Sequence, residues 1–71
     1  MIEVNRRGVW GLYTTRLPAG GEALGTVKHQ NVWGALVKCG TQFYKVTAGM
    51  RIELPARDVS AALLGNRGIS A

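Results

Sequence analysis

The chain has 71 residues, with nine Lys and Arg against four Asp and Glu, giving a formal net charge of +5. That length allows a single domain, and a lone cysteine, Cys39, excludes an internal disulfide framework. His29 is the only histidine, so a tetrahedral Cys/His metal set is excluded as well, and no cofactor is expected.

In chain order, Ile2 and Val4 alternate with Glu3 and Asn5, the period of a half-buried strand. Arg6-Arg7-Gly8 breaks it, and Val9 to Thr15 supplies the β-branched and aromatic residues expected of a second strand. Pro18-Ala19-Gly20-Gly21 is the strongest breaker in the chain. A third strand is expected from Ala23 to His29, a turn at Gln30-Asn31, and a fourth strand from Val32 to Lys38. Cys39-Gly40-Thr41 turns into Gln42 to Thr47, and Ala48-Gly49 turns into Met50 to Leu54.

Pro55 changes the pattern, because proline is tolerated in the first turn of a helix, where its missing N–H costs nothing. Asp58 follows at the positive end of the helix dipole. Val59, Ala62 and Leu63 form one apolar stripe, and Gly65-Asn66 supplies the stop. The expected fold is mainly β, a small barrel or rolled antiparallel meander of five or six short strands with one short C-terminal helix. Residues 1–66 form the domain, the helix lies near 55–64, and 67–71 are read as a loose tail. Val9-Trp10-Gly11 recurs as Val32-Trp33-Gly34; were it a duplication, the tryptophans would hold equivalent places in two similar hairpins.

A domain this small buries only about 60% of the surface its unfolded chain exposes. Without a disulfide or a metal, a homo-oligomer or a place in a larger assembly is the expected remedy. No run approaches the roughly 20 apolar residues needed to span a bilayer, and Met1 to Arg7 is too polar for a signal-peptide core. The expected location is the cytoplasm, since a lone thiol suits a reducing compartment.

No catalytic set is apparent. Cys39 and His29 flank a predicted strand ten residues apart, and Glu3, Glu22, Glu53 and Asp58 show no paired-carboxylate spacing. The glycines form neither GxGxxG nor a phosphate loop before a helix. Gly11 and Gly34, each after a tryptophan, are read as bulges or as places where another backbone or ring approaches. The chain is expected to be a binding protein, not an enzyme.

The feature with functional content is the interleaving of basic and aromatic residues. Arg6, Arg7, Lys28, Lys38 and Lys45 are the candidate phosphate contacts, with Tyr13, Trp33 and Tyr44 as candidate stacking platforms. This points to single-stranded DNA or RNA as the partner. The competing expectation is a bacteriophage-type accessory protein, found in the host cytoplasm or in the virion. It would act by protein contact, as a particle or assembly component or as an inhibitor of a host factor, with Trp and Arg as interface anchors.

One segment carries a resemblance. Ala35, Leu36, Val37, Lys38, Gly40, Tyr44, Lys45, Val46, Gly49 and Ile52 fall in line without a gap on a strand–loop–strand pattern. That pattern resembles the opening of the bacterial large-subunit ribosomal protein family numbered twenty-one. Thr41, Gln42, Phe43 and Met50 depart from it, and only about twenty residues correspond. The resemblance implies a basic hairpin compatible with RNA.

Overall fold

The computed structural model describes residues 2–65. Five strands form one antiparallel sheet in sequence order: β1 (Glu3–Asn5), β2 (Gly21–His29), β3 (Val32–Cys39), β4 (Gln42–Thr47) and β5 (Met50–Leu54). Helix α1 (Ala56–Gly65) follows. The sheet is not closed, so β1 and β5 are its edges.

Three two-residue turns set the meander. Gln30 and Asn31 both take positive φ (56° and 64°), the geometry that joins twisted strands tightly, and His29 faces Val32 across them. Gly40-Thr41 brings Cys39 to Gln42, and Ala48-Gly49 brings Thr47 to Met50. Tight turns fix register, and register fixes which side chains share a face.

Val4, Val27, Leu36, Phe43 and Leu54 share one face and pack with Val59 of α1. Ile2, Leu24, Ala62 and Leu63 complete that cluster, so the expected helix stripe is the buried one. Its placement starts at Pro55, whose carbonyl accepts the Val59 N–H at 3.0 Å. At the other end of α1, the Arg6 guanidinium donates to the Leu63 carbonyl at 2.8 Å. A cation at the last turn suits the negative end of the helix dipole.

The opposite face of the sheet is covered by the long β1–β2 connection. Ala35, Val37 and Val46 are buried there against Trp10, Leu17, Cys39 and Tyr44. Here the structure corrects the sequence reading. Val9 to Thr15 is no strand; it holds a 3₁₀ turn at Trp10–Leu12. Strand propensity needs a partner strand to be realised, and this segment instead lays Trp10 across the sheet. The two Val-Trp-Gly stretches are therefore not equivalent, one being 3₁₀ and the other β3. Gly11 makes no bulge, and nothing lies within 4 Å of its Cβ position.

The actual irregularity lies in β2, where the register shifts between Ala23 and Gly25. The extra residue, Leu24, packs against the helix-side cluster. Gly25 has φ +131°, and a Cβ there would run into the Asn5 carbonyl, with the Arg6 Cα only 2.9 Å away. Only glycine lets β1 and its exit turn approach β2 this closely. None of the helical residues described forms a helix long and apolar enough to cross a membrane. The tail expected at 67–71 lies outside the described residues.

Gly25→Ala is expected to lower stability by about 3 kcal/mol, combining backbone strain with a clash against main chain. Gly11→Ala, with open space around it, should stay within about 0.5 kcal/mol of the parent. Urea denaturation of both variants makes the comparison; equal losses would mean that the β1–β2 approach is not tight.

Candidate functional site

Antiparallel register divides the candidate residues between the two faces. Lys28 and Trp33 are direct cross-strand partners on the face opposite α1. Tyr44 shares that face, paired with Val37 and Glu53. Lys38 and Lys45 lie on the helix side, in line with Phe43.

Lys28 and Trp33 are both half-buried. The Lys28 ammonium sits 3.5 Å from Glu3, with its side chain 32% exposed. An ion pair that open to water is worth about 0–1 kcal/mol, so the lysine stays available to a competing anion. Tyr44 carries the Arg51 guanidinium over its ring at 5.2 Å. The exposed guanidinium over the half-buried ring is a cation–π pair, and a guanidinium is itself a planar group on which bases stack.

Beside this pair, an open groove of about 310 Å³ runs between the β1–β2 connection and the β4–β5 hairpin. Arg16 and Arg51 line it, with Thr14, Thr47 and Met50. Arg16 is placed by its own backbone. The buried Thr14 hydroxyl accepts the Arg16 N–H at 3.2 Å and donates to the Arg16 carbonyl at 3.1 Å. Such a local loop closes the backbone without using the guanidinium.

The remaining candidates are elsewhere. Lys45 is 4% exposed, and its ammonium donates to the His29 carbonyl at 3.0 Å. Its stem runs over Gly34, where a Cβ would come within 2.6 Å of the Lys45 Cγ. This lysine is a core residue, out of reach of a phosphate. Gly34 is thus neither a bulge nor the seat of a backbone or ring; it leaves room for the Lys45 stem. Arg6 is engaged by α1, and Arg7 is exposed in the turn after β1, its N–H donating to the Asn5 side chain at 3.0 Å. Tyr13 is half-buried and ends the 3₁₀ turn, its N–H donating to the Trp10 carbonyl at 2.9 Å. Lys38 is exposed on the helix side opposite Glu22.

The structure thus places Lys28, Trp33 and Tyr44 on one face, with Lys28 beside Trp33 and Tyr44 four positions further along β3, opposite Val37. Near Tyr44 it adds Arg51, and along the groove Arg16, neither of them among the sequence-predicted contacts. Arg51 had a signal: it alternates with Met50, Ile52 and Leu54, so it had to face away from their apolar row. Arg16 had none, since its place depends on the path of an irregular loop. His29 and Cys39 do not meet, lying at opposite ends of β3's ladder with β2 and on opposite faces of the sheet. Among the described residues, no three His, Cys, Asp or Glu side chains gather as metal ligands. Comparison with protein-family models, curated proteins and solved structures found no match.

Arg6→Ala should cost about 1 kcal/mol, the usual worth of one hydrogen bond, by releasing the last turn of α1. Urea denaturation reads it; an unchanged midpoint would show that the Arg6–Leu63 bond contributes nothing.

Proposed function

We propose that the chain binds single-stranded nucleic acid along the uncovered rim of the sheet face opposite α1. The observation that carries this reading is that one face holds the Lys28–Trp33 pair and, further along the sheet, the Tyr44–Arg51 pair beside an open groove lined by Arg16 and Arg51. Cations along such a groove neutralise phosphates and release counterions, which gives affinity without sequence preference. Aromatic and guanidinium planes offer surfaces for bases, each worth about 1–3 kcal/mol on removal. The net charge of +5 favours the approach of a polyanion.

A second reading rests on a different observation. Val9 and Leu12 on the 3₁₀ connection are 64% and 79% exposed, large apolar side chains left mostly open to solvent. They would serve as anchors of a protein contact, as in the accessory proteins of bacterial viruses. The two readings separate by salt, because phosphate contacts weaken steeply with ionic strength and apolar anchors do not.

Titration with a short oligonucleotide, followed by tryptophan fluorescence, is expected to show quenching that fades as salt rises. Trp33→Ala should weaken binding by about 1–3 kcal/mol. Arg16→Ala and Lys28→Ala should each reduce the salt slope by about 0.7, the share of one phosphate on a single strand. Lys45→Met, which touches only the core, should leave affinity unchanged. Absence of quenching at low salt would remove the nucleic-acid reading and leave the apolar anchors as the interface.

A further inference from the structure

Among the described residues, strand β5 pairs with β4 alone, so its outer edge offers backbone groups with no partner there. The Ala48-Gly49 turn closes on the pair Thr47 and Met50, which in a two-residue hairpin is a hydrogen-bonded pair. Met50, Ile52 and Leu54 therefore direct their N–H and C=O groups at β4, while Arg51 and Glu53 direct theirs outward. Edges of this kind recruit another strand unless blocked. Neither a proline nor a bulge interrupts β5, and Pro55 comes only after its end.

We propose that two copies of the chain pair along β5, antiparallel and two-fold symmetric about Ile52. The sequence of the strand, Met50-Arg51-Ile52-Glu53-Leu54, is self-complementary in that register. Arg51 falls opposite Glu53 of the partner subunit, and Glu53 falls opposite Arg51 of the partner subunit. These are the two positions whose backbone points outward, so hydrogen bonding and charge pairing select the same alignment. Among the described residues, neither Arg51 nor Glu53 makes an ion pair within its own chain, and both are exposed.

On the helix side, Met50 lies against Leu54 of the partner subunit and Ile52 against its own copy. These are the non-hydrogen-bonded positions, where side chains approach most closely. The contact would cover Met50, which is 57% exposed in the single chain, and the half-buried Ile52. The other edge offers no such match. β1 is three residues long, and pairing about Val4 would set Glu3 against Asn5. Pairing β1 with β5 would be head-to-tail and leave one edge of each kind open, whereas β5 with β5 closes as a dimer.

The pairing is independent of what the sheet face binds, and it is compatible with that face. Arginine has five N–H donors, so Arg51 can meet a carboxylate at one edge while its plane stays on Tyr44.

Light scattering coupled to gel filtration, on the full chain across a range of concentrations, tests the proposal. The parent chain is expected at twice the 7.6 kDa chain mass. Arg51→Glu and Glu53→Arg each set like charges opposite one another, and each should weaken dimerisation at least about tenfold, or 1.4 kcal/mol. The double exchange R51E/E53R restores opposite charges and should restore the dimer. A monomeric parent would overturn the proposal, as would a dimer that both single variants leave intact. Should one single variant fail to fold by circular dichroism, the other single variant and the double exchange still decide it.

Discussion

The middle of strand β3, from Ala35 to Val37, has no water on either side, and this constraint organises the molecule. Ala35, Leu36 and Val37 are consecutive, point to alternate faces, and are all fully buried. A sheet with one solvated face would have left Leu36, or both its neighbours, exposed. Both faces must therefore be covered, in a chain with few residues to spare. Helix α1 covers the Leu36 side through Val59, Ala62 and Leu63. The β1–β2 connection covers the Ala35 and Val37 side through Trp10 and Leu17. What remains open of the sheet is its periphery: the ends of its strands on both faces, the groove beside the second face, and the edges of β1 and β5.

The same constraint explains which parts of the fold were legible. The short turns announced themselves through residues that accept positive φ or bend tightly, and they placed β2 through β5 within two residues of their observed bounds. The helix was legible from Pro55 and its apolar stripe. The segment Val9 to Thr15 was misread because its composition suits a strand while the sheet had no use for another one. A face that needed a lid took this segment as the lid, leaving Val9 and Leu12 exposed as the cost of bringing Trp10 inward. Composition reports what a segment can pack against; the demand for packing comes from the rest of the chain. The break in alternation at Ala35-Leu36-Val37 carried that demand in the sequence, since three consecutive apolar residues mark a strand buried on both sides.

For the candidate site, nearness in sequence was a poor guide and parity a good one. Lys45 adjoins Tyr44 in the chain, yet adjacent strand residues face opposite ways. Phe43 is a core residue on the helix side, so Lys45 shares its face and Tyr44 does not. Trp33 and Lys28 are five residues apart and meet because a two-residue turn makes them cross-strand partners. Arg51, whose direct partner is Val46, reaches Tyr44 as a diagonal neighbour on the same face, two hairpins later. Arg6 illustrates the residue type that neither rule reaches, because its partner is the carbonyl of Leu63, 57 positions away.

Lys45 shows why a basic residue in a strand need not belong to a basic surface. Its stem lies across β3 at the position where Gly34 has no side chain, and its ammonium reaches the last residue of β2. One side chain thus links β4 to β2 across the strand between them. A slip of β4 by one residue would turn the lysine to the other face, break its bond to the His29 carbonyl and turn Phe43 out of the core. The hydrogen-bonded ammonium contributes little net stability, because desolvation offsets most of its gain. Its effect is on alternatives: slipped registers would also have to bury or strand a charge, and the tight turns at Gly40 and Gly49 leave them no slack in which to do so. The register that presents Trp33, Tyr44 and Arg51 on one face is the one in which Lys45 finds its carbonyl.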